Sequence, residues 1–492
     1  MKRYELHING QSVKPSTDTW FETQNPFTGQ AWAQIPRGSA QDVDSAVQAA
    51  HQAFTQGAWS QMTASQRGLL MHRLGDVIAK RAEQLAQTEV RDNGKLYSEM
   101  LGQLNYVPQW YYYYGGLADK VQGATLPLDK KGYFAYTRHE PMGVVAAITP
   151  WNSPLLLLAW KIAPALAAGC TVVVKPSEFT SASTLEFAAL FEEAGFPPGV
   201  FNVVTGFGHE VGSALVGHPL VSKVTFTGSD ATGRVINQQA GAQLKHTSLE
   251  LGGKSPNIIF DDADLEQAVN GAVSGIFAAT GQTCIAGSRL LVQSTVYDEV
   301  VARLLALAKT AKMGNPMDAQ TQVGPITTPA QYQKVKDYID VAKGEGAQLL
   351  LGGKPADDAA CGNGWFIEPT IFGEVRNSMR IAQEEVFGPV LSIIRFDNEQ
   401  EALAIANDIR FGLAAGVWTS DMARAIRMSE NLKAGTVWVN TYRAVSFMAP
   451  FGGYKDSGLG RENGIGAIGE YLQTKSVWIN SGAVTGNPFV MR

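Results

Sequence analysis

Cysteine is scarce in this 492-residue chain, which has three: Cys170, Cys284 and Cys361. They are too few and too scattered for a disulfide framework or a cysteine-built zinc site, and no metal is expected. A reducing compartment is their simplest setting. Long apolar runs are also missing. The longest, residues 155–160, falls far short of the ~20 residues a membrane-spanning helix needs. Residues 1–10 contain no apolar stretch of signal-peptide length. Charge is not clustered by sign either. Forty Lys and Arg stand against 45 Asp and Glu, for a net charge of −5, with no basic stripe and no acidic tail. Nucleic acid and membrane surfaces are therefore not expected partners. The expected location is the cytoplasm. No internal repeat or low-complexity tract is evident.

The chain is long enough for two or three domains. Its 45 % apolar and 17 % charged residues are ordinary for a globular enzyme. Its 51 glycines fit frequent tight turns and close ligand approach. The first 120 residues read as mainly helical, with apolar spacing near 3.6 over 43–54 and 69–89; Ser39 and Asp42 are placed to cap the first helix. Asn25-Pro26-Phe27-Thr28-Gly29 is a turn between two short extended pieces. Tyr111 to Tyr114 fit a helix face packed on a core.

From residue 141 strands and helices alternate. Strands are expected at 143–148, 171–174, 201–204, 223–226 and 244–249, and helices at 155–168 and 184–194. Continuous apolar strands alternating with helices make a parallel sheet covered on both faces, and such sheets bind ligands at the carboxyl ends of the strands. A second α/β section runs over about 252–450, with strands at 257–260, 288–292 and 390–396 and helices at 296–312 and 329–343. Residues 476–492 are short and extended, and are expected to add to another subunit or to a nearby sheet.

Three side chains carry the candidate chemistry. Cys284 sits in Gly281-Gln282-Thr283-Cys284-Ile285-Ala286-Gly287-Ser288, small surroundings that give a ligand access to a thiol. Cys170 and Cys361 read instead as buried small hydrophobes. Glu250 ends a strand, and Gly252-Gly253 after it frees the backbone to turn into a cleft; a carboxylate in a partly dry site has a raised pKa and serves as a general base. The alternative for Glu250 is a surface or ion-paired residue. None of the seven histidines shows an evident partnership with Cys284. Asn152, on the rigid turn Pro150-Trp151-Asn152-Ser153-Pro154, is placed to donate to an oxyanion or to cap the following helix.

Two glycine turns follow strands: Gly206-Phe207-Gly208, and Phe226-Thr227-Gly228-Ser229, which opens a helix. A strand, a glycine turn and a helix N-terminus together make a phosphate cradle. Lys175 and Glu178, in Lys175-Pro176-Ser177-Glu178, are either partners for a ribose or a surface turn.

In order, these stretches resemble the NAD(P)-dependent aldehyde dehydrogenase superfamily, together with Leu249-Glu250-Leu251-Gly252-Gly253-Lys254, Glu384-Glu385-Val386-Phe387-Gly388-Pro389 and Pro450-Phe451-Gly452-Gly453-Tyr454-Lys455. The resemblance spans essentially the whole chain. It implies an α/β fold with a Rossmann-like nucleotide domain (1–121 and 141–251, rejoined by 456–472), a catalytic domain (252–455) and a small β oligomerisation arm (122–140 and 473–492). It implies Cys284 as nucleophile, Glu250 as base, and Asn152 with the Cys284 N–H as oxyanion hole. Lys175 and Glu178 would hold the adenine ribose, Gly208, Gly228, Ser229 and Leu251 would lie along the cofactor, Glu385 would take the nicotinamide ribose, Phe387 would pack near the nicotinamide, and Trp151 would flank the cofactor pocket. The cofactor expected is NAD, with NADP possible, because a carboxylate at Glu178 suits a 2′-hydroxyl better than a phosphate. The substrate tunnel implied is Ser153, Leu156, Leu157, Trp160, Thr283, Ile285, Arg443, Val445 and Phe451, with Phe447 nearby. Ser153 is small where many relatives carry an aromatic ring. Arg443 is either an attractor for an anionic or polar substrate or a plain surface residue. The expected reaction is oxidation of an aldehyde, a semialdehyde or its cyclic hemiacetal to the acid through a thioester on Cys284, in a homodimer or homotetramer. A cysteine hydrolase or acyltransferase and a coenzyme-A-acylating dehydrogenase are the alternatives; the carboxylate at Glu250 argues for water over coenzyme A.

Overall fold

The computed structural model describes residues 1–484 and 486–490. Five parallel strands form the centre of the first sheet, in the order His246–Glu250, Val221–Thr227, Val144–Ile148, Thr171–Lys175, Phe201–Val203. Four of them are buried along their whole or nearly whole length, as expected for strands covered on both faces. The chain enters the sheet's centre at Val144–Ile148 and builds outward through Thr171–Lys175 and Phe201–Val203. It then crosses back to lay Val221–Thr227 on the other side of the first strand. That reversal opens a crevice at the carboxyl ends of Val144–Ile148 and Val221–Thr227, where such sheets place their ligands. Ile148 is level with Lys175 and with Phe226, and Thr227 with Glu250. The segments carrying Asn152, Glu178, Ser229 and Glu250 therefore all leave the sheet from one edge.

The expected strand at 244–249 begins later, at His246, because Leu244 adopts a left-handed φ of 56° at the close of the preceding helix. Gly458–Leu459 returns to this sheet and pairs antiparallel with His246–Glu250; on the other side Leu6–Ile8 pairs antiparallel with Phe201–Val203, and Gln11–Val13 pairs with Leu6–Ile8 at the edge.

The second sheet has seven strands in the order Gln348–Leu351, Thr370–Gly373, Val390–Phe396, Arg289–Gln293, Pro256–Ile259, Ala414–Trp418, Thr436–Val439. All neighbours are parallel except the first pair. Arg289 is fully buried and pins this layer, donating to the carbonyls of Lys254 (3.0 Å), Ile405 (3.0 Å) and Ala406 (2.9 Å) and to Asn377 Oδ1 (2.9 Å). The strands Thr370–Gly373, Ala414–Trp418 and Thr436–Val439 and the helices Glu399–Asn407 and Met422–Asn431 lie outside the expected elements.

As expected, the Asn25–Gly29 turn joins two extended pieces, and Trp20–Asn25 and Gln30–Pro36 form an antiparallel pair across it. The helix Ala40–Thr55 starts on a capping box made by Ser39 and Asp42. Ala64–Asn93 outruns its expected span at both ends, because Thr63 and Gln66 cap the start and a left-handed Gly94 (φ 74°) ends it. Tyr111 and Tyr114 are buried on Pro108–Leu117. A third sheet stands apart: Leu472–Asn480 pairs along its full length with Tyr133–Pro141, which also pairs with Thr125–Leu126. Within the 473–492 stretch, Thr485, Met491 and Arg492 lie outside the described residues. Among the described residues no helix is long and apolar enough to cross a membrane.

Candidate active site

Cys284 lies in the loop between the helix Leu265–Phe277 and the strand Arg289–Gln293. Ala279, Thr280 and Gly281 all take left-handed φ values (53°, 54° and 68°) on the way to it. A side chain at Gly281 would put its Cβ 2.1 Å from the Gly388 carbonyl, so glycine is required there. Gln282 ties the loop down, accepting from Thr327 N (2.9 Å) and donating to Pro325 O (3.2 Å). Its own carbonyl receives Asn152 Nδ2 at 3.0 Å. One amide hydrogen of Asn152 thus fixes the side chain, and the other remains for a ligand.

Cys284 is half-buried and lines a cavity of about 130 Å³ with Trp151, Asn152, Leu157, Gly228, Ser229, Leu251, Gly252, Glu385 and Phe387. Burial, then the nearby Glu250 and Glu385 carboxylates, push its thiol up to about 12. No histidine is among the residues lining this cavity.

Glu250 ends its strand almost fully buried, and its Oε2 has no hydrogen-bond partner among the described residues. Burial raises its pKa well above the usual carboxylate range; Glu462 adds to the rise, while Lys161 and Arg461 oppose it. Glu250 does not itself line the cavity around Cys284; its neighbours Leu251 and Gly252 do. Lys161 is buried in the otherwise apolar helix Pro154–Ala168, with its ammonium on Glu462 and on Thr227 Oγ1 at 2.6 Å. This pair was missed from the sequence, although a single lysine in so apolar a helix is a signal: a buried charge demands a partner.

A cleft of about 760 Å³ adjoins the thiol cavity, sharing Pro150, Trp151, Thr227, Gly228 and Ser229 as walls. Lys175 and Glu178 line its other part, with Nζ and Oε2 3.3 Å apart. Lys175 is buried, its pKa lowered by desolvation against the pull of Glu178. Gly208 lies on the same wall. Ser229 caps the helix Asp230–Gly241, accepting from Thr232 N at 3.2 Å, so the free N–H end of that helix opens onto the cleft. Glu385 is fastened by Gly253 N at 2.9 Å, and a Cβ on Gly252 would meet its carboxylate at 2.5 Å. Phe387, held at φ 59° by Gln331 donating to the Val386 (2.8 Å) and Phe387 (2.9 Å) carbonyls, meets Trp151 edge-on at 5.2 Å. An ammonium and carboxylate at one part, a helix N-terminus and two aromatic rings beside a thiol fit a dinucleotide in size and in donor chemistry.

The sequence profile of the aldehyde dehydrogenase family matches residues 13–477. This chain belongs to the aldehyde dehydrogenase family. A (Z)-2-((N-methylformamido)methylene)-5-hydroxybutyrolactone dehydrogenase of Acinetobacter baylyi is 47% identical, with 100% of both chains covered. The mitochondrial aldehyde dehydrogenase of Homo sapiens is also 47% identical, over 96% of this chain and 92% of its own. Among solved structures, betaine aldehyde dehydrogenase from Staphylococcus aureus in complex with NAD+ superposes with a TM-score of 0.97 at 42% identity, covering 99% of this chain and 97% of that one. The NAD+ complex of an aldehyde dehydrogenase from Bacillus cereus gives 0.95 at 46% identity, with 97% of each chain covered.

Of the residues expected to form this dehydrogenase's tunnel, Leu157 shares the cavity with Cys284. Trp160 packs on Phe451 (5.0 Å) and on Trp110 (6.0 Å), and Phe447 packs on Trp110 (5.8 Å). Leu156 and Val445 are half-buried against the same core. Ile285 is buried, its carbonyl receiving the Tyr442 hydroxyl at 3.1 Å. Thr283 does not line the cavity Cys284 opens into; it lines a small adjoining void with Gly281 and Ala286, which shares Glu385 and Phe387 as walls with that cavity. Ser153 accepts from Lys95 Nζ at 3.1 Å, and Arg443 is half-buried with Nη1 on Ser274 O at 3.1 Å. Lys95 was not foreseen, since nothing in its local sequence announces a contact with residue 153.

Proposed function

We propose that this aldehyde dehydrogenase oxidises an aldehyde, a semialdehyde or its cyclic hemiacetal to the carboxylic acid, with NAD as cofactor. The observation that carries this reading is the single opening in which the Cys284 thiol meets Asn152, Glu385, Phe387 and the mouth of the dinucleotide cleft. The NAD+ complexes of the Staphylococcus and Bacillus structures support the cofactor. The relative named for a hydroxybutyrolactone supports the hemiacetal form.

Lys175 and Glu178 would hold the adenine ribose, the Gly228–Ser229 turn the pyrophosphate, and Glu385 the nicotinamide ribose. Trp151, Gly208, Leu251 and Phe387 complete the cofactor walls. In the mechanism, the Cys284 sulfur bonds to the carbonyl carbon as its thiol proton passes to solvent and the carbonyl π pair moves onto oxygen. The second amide hydrogen of Asn152 and the Cys284 N–H stabilise the oxyanion. NAD, when bound, supplies the acceptor for the hydride that leaves this carbon with its electron pair. The carbon is then a thioester on Cys284. Glu250 takes a proton from water, whose oxygen attacks the thioester; the C–S bond breaks, the proton held by Glu250 passes to the departing sulfur, and the acid and the thiol are released. Burial raises the pKa of Glu250 above the usual carboxylate range, which makes it a stronger base toward that water.

Replacing Cys284 by Ala is expected to abolish NAD reduction while leaving NAD binding intact; turnover by Cys284→Ala would overturn the assignment. Comparing kcat/KM for NAD and NADP tests Glu178: NAD is expected to be the better cofactor. The apolar side chains Phe134, Trp478 and Ile479 stand exposed on the third sheet, which supports assembly through that arm into a homodimer or homotetramer. Three free thiols fit a cytoplasmic location.

A further inference from the structure

Close to Cys284 stand two cations that the mechanism above does not use. Lys95 is 2% exposed and follows the left-handed Gly94 that ends the long helix Ala64–Asn93. Its ammonium has three donors. Among the described residues it donates one hydrogen bond, to Ser153 Oγ at 3.1 Å. Burial brings its pKa down to about 8, and Glu99, Arg443, Glu89 and Cys284 are all near enough for their charges to act on it. Arg443 approaches from another segment, at a left-handed φ of 65°. Among the described residues its guanidinium makes one hydrogen bond, to Ser274 O at 3.1 Å, and it too lies in the fields of Glu99 and Cys284.

The negative charge facing these cations is incomplete. Glu99 Oε1 accepts from Ala279 N at 2.7 Å, and its Oε2 is buried without a partner among the described residues. Glu89 accepts from Leu155 N at 2.9 Å, and burial raises its pKa to about 7, so near neutral pH it carries only part of a charge. A buried ammonium with unspent donors, beside a half-buried guanidinium, favours a ligand that brings an anion to them. A plain alkyl aldehyde would leave those donors unpaired. Ser153 is what gives Lys95 its outlet: an aromatic ring at this position would offer the ammonium no acceptor. Leu157, on the wall of the cavity around Cys284, supplies apolar surface for intervening carbons.

We propose that the substrate is a semialdehyde whose second group is a carboxylate, held by Arg443 and by Lys95 with Ser153. The proposal rests on the aldehyde-oxidation reading and names the substrate class within it.

The test compares kcat/KM with NAD for 4-oxobutanoate and for butanal, in the wild-type enzyme and in Arg443→Gln, Arg443→Lys and Ser153→Phe variants whose melting temperatures are checked. The wild-type enzyme is expected to prefer 4-oxobutanoate by about tenfold or more. Arg443→Gln should collapse that ratio, chiefly through KM for 4-oxobutanoate, and Arg443→Lys should restore part of it. Ser153→Phe should lower the ratio as well. A wild-type ratio near one, or a ratio unmoved by Arg443→Gln, overturns the proposal while leaving aldehyde oxidation standing. Turnover of neither aldehyde overturns the underlying reading itself.

Discussion

Asn152 spends one amide hydrogen on Gln282 O, which fixes where the other one points. Asn152→Ala is therefore expected to lower kcat by about 10²- to 10³-fold, as loss of one oxyanion donor does, with a much smaller change in the Kd for NAD measured by calorimetry. The thiol and the carboxylate were legible in the sequence because each sits beside glycines that leave room for a ligand. Those glycines prove to be spatially forced: Gly253 leaves no space for a Cβ, which would lie 2.7 Å from the Cys284 carbonyl. What stayed hidden were contacts between distant segments. Lys95 and Ser153 are 58 positions apart, and Lys161 and Glu462 are 301 apart. No local spacing encodes such pairs.

At the scale of elements, the helix Pro154–Ala168 does two jobs. Its apolar residues fill the core, and its Lys161 faces Glu462 beneath Glu250. Breaking a buried ion pair strands the remaining charge. Lys161→Met is thus expected to cost about 3–5 kcal/mol, and Lys161→Met with Glu462→Leu to recover most of it; denaturant melts of both variants check this. The strands of the first sheet were readable because strands buried on both faces are apolar throughout. Ala414–Trp418 escaped notice because its Ala and Gly content dilutes that pattern, and Thr436–Val439 because it is only partly buried on an edge of its sheet.

Across the whole molecule, two buried carboxylates tie stability to pH. Glu89 and Asp92, near the end of the long helix Ala64–Asn93, both have pKa values raised to about 7 by burial. Such groups bind protons more tightly folded than unfolded, so their contribution is full below the unfolded carboxylate range and is lost as pH rises through about 7. Melting temperature should accordingly fall less between about pH 5 and 8 for Glu89→Gln than for the wild type; equal slopes would contradict this. The fold as a whole brings two sheets' loops to one crevice, and the central claim is that the Cys284 thiol and the Glu250 carboxylate divide the reaction there into hydride loss and hydrolysis. Rapid mixing of Glu250→Gln with NAD and an aldehyde, following reduced nicotinamide, separates the two halves. A burst of one reduced cofactor per active site followed by near-zero turnover is the predicted result, and steady turnover at the wild-type rate would contradict it.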